Sequence, residues 1–343
     1  MTGKRLAMIF GQRLTLACIC LTFIPAHALA GEASHLFWPK SPADTRIVFV
    51  KPIYTPQDWG INPTMFMRLK RFFFGYENEG FNRPMAIAVS GRGTIYICDT
   101  ENAVVHVLDR GTKRYGRIFR AGRQDFISPV GVAVNKEGLV YIADSKLGKV
   151  FCLDAKGRVK YTIGLDEALL RPTGLAVDQN GHVLVVETGA HRVLIYDAKG
   201  HLVKSFGKRG KGPGEFNFPT AVALDGQGRI YVVDTLNFRI QVFDKEASFL
   251  YAIGGPGDSS GYFSRPKGVA LDSFGHIYST DGLSDNVQVF SQKQEFLLSW
   301  GESGHKDGEF WIVSGIAVDE NNNIYVADPY NHRIQVFQYV GRD

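Results

Sequence analysis

Six carboxylates recur at regular intervals along the chain, and six acids in register could surround a metal ion. They are Asp99, Asp144, Glu187, Asp234, Asp281 and Asp328. A basic residue stands five positions after four of them, at Lys149, Arg192, Arg239 and Arg333. An acid and a base on the two arms of one hairpin can form an ion pair that closes the turn. The spacing therefore predicts a structural role for the acids rather than a metal ring.

The histidines also favour turn positions over a metal centre. His182, His201 and His276 each follow the glycine of a turn. The six predicted innermost strands contain no His, Cys, Asp or Glu; they lie at residues 87–89, 132–134, 175–177, 222–224, 269–271 and 316–318. A metal-dependent lyase or hydrolase would have to take its ligands from loops alone. We predict no cofactor, and an axial calcium or zinc ion is the alternative.

Basic and hydroxyl side chains stand at variable positions beside the start of several repeats. Arg83, Arg171 and Arg265 directly precede the first residue of a repeat, whereas Thr173, Thr220 and Lys267 directly follow it. In a ring of repeats, these positions lie on the rim of the central opening. Guanidinium groups recognise carboxylates and phosphates, so we predict that the rim binds an anionic group or an acidic partner segment. The alternative is a set of solvated arginines that never converge.

The elements that must position these side chains are short strands in a repeated pattern. Each repeat begins with Pro, or with Val313 in the last copy, and continues into an apolar run with Ala near its centre. Successive copies are spaced by 45, 43, 47, 47 and 47 residues, and the repeat acid always comes 15 residues after the first position. Several short strands per unit and a period in the forties are typical of a β-propeller. Six copies predict six blades.

We predict an all-β, six-bladed β-propeller of four-stranded antiparallel blades. A fourth strand is visible at residues 201–207, 248–254 and 295–301, but the last copy has too little chain left for one. The run MRLKRFFFG at 67–75 precedes the first repeat and has no blade of its own. We therefore predict that this N-terminal strand becomes the outer strand of the last blade. Such closure would remove exposed sheet edges.

The repeats resemble the NHL family, through Asn331-His332-Arg333 and, less fully, through the equivalent steps at 190–192 and 237–239. The resemblance covers about residues 67–338. It implies the six-bladed fold and a binding role, and it implies no particular reaction. Propeller enzymes such as the peptidyl-α-hydroxyglycine α-amidating lyase are similar in blade count, but they hold a metal with histidines near the axis. They supply the alternative function.

The N-terminal residues predict export. Basic Lys4, Arg5 and Arg13 precede an apolar run, and Ala28-Leu29-Ala30 is typical of a signal peptidase site. We predict a signal peptide at 1–30, an irregular proline-rich segment at 31–66 packed on the outside, and the propeller at 67–343. The location is then periplasmic or extracellular. An uncleaved membrane anchor is the alternative, and it is the one case in which we expect membrane contact.

The composition narrows the possible partners. The chain is 45% hydrophobic and 21% charged, which is enough for a large core. Without residues 1–30 it carries 36 Lys and Arg against 34 Asp and Glu, so no unbalanced charge indicates nucleic acid. Cys98 and Cys152 lie in predicted strands of different repeats, which favours two buried thiols over a disulfide. We predict a monomeric, non-catalytic platform that binds a protein, a peptide or a surface glycan.

Overall fold

The structure, a computed structural model, describes residues 36–40, 44, 46–62 and 79–341. The predicted signal peptide at 1–30 and the strand predicted at 67–75 lie outside these residues. Within the described part of the chain, no helix is long and apolar enough to cross a membrane.

The repeats form six antiparallel sheets, which confirms the predicted propeller. Blade 1 contains Pro84–Val89, Thr94–Asp99, Val104–Asp109 and Arg114–Ile118. Blade 2 contains Pro129–Val134, Val140–Asp144, Lys149–Leu153 and Val159–Ile163, and blade 3 contains Pro172–Val177, Val183–Glu187, Arg192–Tyr196 and Leu202–Phe206. Blade 4 contains Pro219–Leu224, Ile230–Asp234, Arg239–Phe243 and Phe249–Ile253, and blade 5 contains Pro266–Leu271, Ile277–Asp281, Asn286–Phe290 and Phe296–Trp300.

Blade 6 joins the two ends of the chain. Its first three strands are Ile316–Val318, Asn323–Asp328 and Arg333–Tyr339, and its outer strand is the N-terminal Ile47–Ile53. The short strand Phe37–Trp38 pairs with the outside of Ile47–Ile53. Closure by an N-terminal strand is thus confirmed, but our choice of residues 67–75 for that strand is wrong. The run RIVFVKPI takes the place, and part of the segment expected to be irregular is an ordered strand.

The few remaining elements are short. Arg120–Ala121 pairs with Gln124–Asp125 in the connection between blades 1 and 2. Single 3-10 turns occur at Pro56–Trp59, Thr188–Ala190, Thr235–Asn237 and Pro329–Asn331. The last three follow the repeat acid of their blade and lead into the third strand.

Small residues let the innermost strands approach one another at the axis. Ala88 and Ala133 are buried there, as the alanine pattern predicts. A Cβ atom on Gly131 would lie 1.9 Å from the carbonyl oxygen of Thr173 in the next blade, and one on Gly315 would lie 2.6 Å from that of Met85. These contacts exclude any side chain at either position. The core itself lies between the faces of neighbouring blades.

The two ends of the blades differ in their loops. Because the strands are antiparallel, the loops between second and third strands lie at the same end as the crossovers to the next inner strand. We call this end the loop face. The opposite end, the turn face, carries tight turns such as Asp178–Gly181, in which the Asp178 carboxylate accepts backbone hydrogen bonds and Gly181 has φ +83°. Long and variable segments are therefore confined to the loop face.

Candidate functional site

The six repeat acids are buried and hold the crossovers in place. Asp144 accepts hydrogen bonds from the backbone N–H groups of Ile127 (2.7 Å) and Ser128 (2.9 Å), which connect its blade to the preceding one. Glu187 accepts one from Leu170 in the same way, at 2.7 Å. Each acid therefore ties the second strand of its blade to the incoming chain. The sequence did not predict these hydrogen bonds to the crossover, and the one pattern that could have indicated them is the constant spacing of 15 residues between the first position of each repeat and its acid.

Ion pairs to the third strand complete the acid network in three blades. Arg192, Arg239 and Arg333 place Nε 2.5, 2.9 and 2.8 Å from the acids of their own blades. In blade 1 the buried His106 takes the corresponding part, with Nε2 3.3 Å from Asp99. The predicted turn-closing pairs are thus confirmed for the three arginines.

Hydrogen bonding keeps Asp99 ionised despite its burial. Burial acts to raise the pKa of Asp99, but the bond from His106 and those from the backbone of Asn82, Arg83 and Asn102 outweigh it. The pKa of this carboxyl therefore falls to about 2. A carboxylate with this pKa can serve as a structural anion, and it cannot act as a general acid near neutral pH.

The histidines do not converge. His182 and His276 each place Nδ1 2.8 Å from the aspartate that opens their own turn-face hairpin, Asp178 and Asp272. His191 Nδ1 accepts a hydrogen bond from the backbone N–H of Phe218 at 3.0 Å. Across the described residues, no three His, Cys, Asp or Glu side chains are grouped as they would be around a metal ion. Cys98 and Cys152 are free and buried, as predicted.

The predicted rim positions surround a central cavity that opens on the loop face. The cavity has a volume of about 800 Å³. Arg83, Arg171, Thr173, Thr220 and Lys267 all line it. Its remaining wall is made mostly of small and aliphatic residues, together with Lys146 and Tyr330, and Glu101 is its single acidic residue among those described. Most of the rim positions predicted from the sequence therefore line this opening.

The pKa of Lys267, which lines the cavity, lies well below its usual value. Burial is the main cause that lowers its pKa, and the nearby positive charges of Arg265 and Arg171 lower it further, while Asp281 acts in the opposite direction. The resulting pKa is about 8. Arg171 and Lys267 line the same cavity, and Arg265 stands two residues before Lys267 on the crossover; we call these three residues the cationic cluster.

The other predicted rim residues are already engaged. The Arg83 guanidinium stacks on Tyr330 at 5.1 Å and lies 3.7 Å from Glu101. The hydroxyls of Thr173 and Thr220 lie 2.9 and 3.0 Å from carbonyl oxygens of the next blade, to which they donate. Of the three predicted rim arginines, Arg83 and Arg171 are among the described residues that line the cavity, and Arg265 is not.

Exposed apolar side chains surround the mouth of the cavity, and the sequence analysis missed them. They occupy two equivalent loop positions, two residues before a repeat begins and two residues after its acid. We call this set the apolar collar: Ile127, Leu170, Leu236, Leu283, Trp311 and Tyr330. Leu170 and Leu283 are 61% and 67% exposed. An alignment of the six copies by their loops, rather than by their strands, could have revealed the set.

The two faces differ sharply in exposed apolar surface. On the turn face, the exposed large apolar side chains of the described residues include Phe274 and Val340. Two collar residues, Trp311 and Tyr330, contact each other with ring centroids 5.6 Å apart, and the Arg83 guanidinium of the rim stacks on Tyr330. A clustered patch of this kind on one face marks an interaction surface.

The fold and the repeated crossovers define a six-bladed β-propeller with its open cavity on the loop face. The NHL repeat family model matches residues 169–196, 216–243 and 310–337, which lie in blades 3, 4 and 6. Three segments of this six-bladed β-propeller therefore match the NHL repeat. No curated protein sequence matches it.

Solved propeller structures share its fold at low sequence identity. A virginiamycin B lyase from Staphylococcus aureus is 14% identical, with a TM-score of 0.56, over 76% of this chain and 96% of that chain. A gluconolactonase from Xanthomonas campestris is 16% identical, with a TM-score of 0.58, over 76% and 87%. A protein of unknown function from Bacteroides thetaiotaomicron is 14% identical, with a TM-score of 0.60, over 76% and 70%. At these identities the likeness concerns the fold.

Proposed function

We propose that this protein is an exported, non-catalytic platform that binds a segment of a protein partner on its loop face. The apolar collar is the observation that carries the proposal, because it places six exposed apolar side chains around one opening. Aromatic and aliphatic anchors surrounded by polar residues are typical of binding hot spots. The rigid strands beneath hold the loops in a bound-like arrangement, which reduces the entropy lost on binding.

The collar also favours a polypeptide over a glycan. Leucines and an isoleucine offer a sugar hydroxyl no hydrogen bond, whereas they can bury the apolar side chains of a peptide. The export part of the proposal rests on the pattern at residues 1–30. A monomer is expected, with the loop face free for the partner.

Site-specific cross-linking tests the platform. A photoreactive amino acid is placed at Leu283 on the loop face and, as the matched control, at Phe274 on the turn face, in the cells that produce the protein. These two side chains are 67% and 52% exposed. We expect a discrete adduct with another protein from position 283, and its loss when Leu170→Asp is added. Equal adducts from both positions, or none from either, would contradict the proposal.

The alternative function, a metal-dependent lyase or hydrolase, finds less support in the cavity. The lyase and gluconolactonase propellers share this fold. The described cavity lining, however, offers Glu101 as its one carboxylate and no histidine. Metal analysis of the purified protein separates the two functions, because a stoichiometric zinc ion at the axis would favour the enzyme.

A further inference from the structure

We propose that the cationic cluster of Arg171, Arg265 and Lys267 is a binding site for one oxyanion, the group that carboxylates and phosphates share. The site lies in the central cavity, on the side of blades 3 and 5. It deepens the proposed function and rests on it in part, because an acidic side chain of the docked segment is one source of the anion. A free carboxylate or phosphate compound is the other source.

The cluster differs from the arginines at the start of the third strands in having no acidic partner among the described residues. Arg192, Arg239 and Arg333 each pair with the acid of their own blade. Within the described part of the chain, the side chains of Arg171, Arg265 and Lys267 form no ion pair with a carboxylate, and none of their side-chain nitrogens donates a hydrogen bond to another residue. Arg171 and Lys267 therefore line the cavity without a carboxylate in contact with them, and Arg265 adds a positive charge beside Lys267.

Asp281, the carboxylate whose charge acts on Lys267, already accepts hydrogen bonds from the main chain. Asp281 accepts backbone hydrogen bonds from Ser264 and Arg265 on the crossover, and from Leu283 and Ser284 on the next loop. Its four bonds satisfy the acceptor capacity of both oxygens. It holds the main chain of Arg265 in place, and its single negative charge offsets only part of the positive charge of the cluster.

The backbone that carries the cluster is fixed before any ligand arrives. The Lys267 carbonyl accepts a hydrogen bond from the Thr220 hydroxyl of blade 4 at 3.0 Å. The stem of Lys267 lies against Gly282, where a Cβ atom would come within 3.1 Å of Lys267 Cγ. The residue before Arg171 is tied by its N–H to Glu187. Anion binding therefore has to order the side chains of the cluster but not the backbone that carries them.

The charges around Lys267 make anion binding depend on pH. Arg171 and Arg265 repel the ammonium and Asp281 attracts it, while Lys146, Arg83 and Glu101 lie elsewhere on the cavity wall. An anion held by the cluster stabilises the protonated amine, so binding takes up a proton above the free pKa of about 8. Affinity should then be full at pH 7 and fall about tenfold by pH 9.

Calorimetric titration with two probes tests the site in the full-length protein. Sulfate, whose charge does not change between pH 7 and 9, represents a free anion, and a hexaglutamate peptide represents an acidic segment. We expect binding that is lost in Arg171→Met/Lys267→Met. Lys293→Met, an exposed change on the turn face of blade 5, is the matched control and should bind as the wild type does.

The Lys267→Arg variant tests whether titration of Lys267, rather than the overall positive charge, causes the pH dependence of anion binding. This variant keeps the positive charge but titrates far above pH 9. Its affinity should change less than about twofold between pH 7 and 9, against the tenfold loss of the wild type. Tighter binding of the peptide than of sulfate would identify a partner segment as the ligand, and equal or weaker binding would identify a free anion.

Two results would overturn the site. One is that neither probe binds, and the other is that Arg171→Met/Lys267→Met binds both probes like the wild type. The platform is tested separately by its cross-links at Leu283. Anion binding without a cross-linked partner would therefore contradict the platform but support the anion site. A cross-linked partner without anion binding would support the platform but contradict the anion site.

Discussion

At the scale of single residues, Arg333 shows why the repeated acids and bases belong to the architecture. Its side chain is buried and donates to Asp328 at 2.8 Å and to the carbonyl oxygens of Lys306 and Glu309 at 2.6 and 2.9 Å. One guanidinium thus connects the third strand, the second strand and the incoming crossover of blade 6. A buried charge is tolerated only when it is paired and hydrogen-bonded in this way.

Arg333→Met should destabilise the protein strongly. It leaves Asp328 buried without its cation and removes one donor from each of the Lys306 and Glu309 carbonyl groups, for which a loss of about 3–5 kcal/mol in unfolding free energy is expected. Urea denaturation followed by tryptophan fluorescence measures the loss.

The control for this change is Arg158→Met. Arg158 pairs with Asp154 at 2.7 Å but is 72% exposed, so its removal should leave the urea midpoint nearly unchanged. Similar midpoints for the two variants would mean that the buried pair contributes no more than a surface one.

At the scale of elements, the closing strand Ile47–Ile53 decides whether blade 6 is complete. It pairs with Arg333–Tyr339 from Ile47 opposite Tyr339 to Ile53 opposite Ile334. The register shifts between Phe49 and Lys51, and this bulge accommodates the proline that follows. Proline lacks a backbone donor and is tolerated near a sheet edge, so Pro52 does not prevent the strand.

Two alanine substitutions in this strand test whether its side chains pack into the core or whether backbone hydrogen bonds alone hold it on the ring. Ile53 is fully buried, so Ile53→Ala should lower the unfolding free energy by about 2–5 kcal/mol. Val50 is 47% exposed at the bulge, and Val50→Ala should change it by less than about 0.5 kcal/mol. Equal effects of both changes on chemical denaturation would show that the strand lies loosely on the ring.

At the scale of the whole molecule, the two ends of the chain meet in one sheet. The Trp38 and Phe49 rings pack on Phe337 with centroid distances of 5.9 and 5.5 Å, which joins the N-terminal strands to the last repeat by side chains as well as hydrogen bonds. Because every inner strand also packs against its neighbours, the ring has no free blade face. The molecule should unfold as one cooperative unit.

Removing the closing strand should expose an edge that associates with other chains. A chain beginning at Tyr54 lacks both N-terminal strands and leaves Arg333–Tyr339 unpaired on one side. We expect dimers or larger species by size-exclusion chromatography with light scattering. A chain beginning at Leu36 keeps both strands and is the control; a monomeric Tyr54 chain would contradict this account of the edge.

Local residue patterns determined the repeat and its blades. Apolar alternation, turn residues and the constant distance from Pro to acid are properties of neighbouring residues, so the fourfold strand pattern and the alanines at the axis could be deduced. The closing strand could not, because pairing between residues 47–53 and 333–339 is a contact between distant parts of the chain. MRLKRFFFG matched the local pattern of an outer strand better than RIVFVKPI, and local pattern alone was therefore misleading.

For the repeat acids and the rim, the sequence determined which residues stand at each position, and the tertiary structure decided what each one does. The spacing of the acids predicted structural pairs, which are present for Arg192, Arg239 and Arg333. The rim positions were located by counting along the repeats, but the pairing of Arg83 with Glu101 and the grouping of Lys267 with Arg171 and Arg265 depend on side-chain directions in different blades. Exposure of the apolar collar likewise emerges when the ring closes, because a loop residue becomes buried or exposed through the neighbours that the fold brings to it.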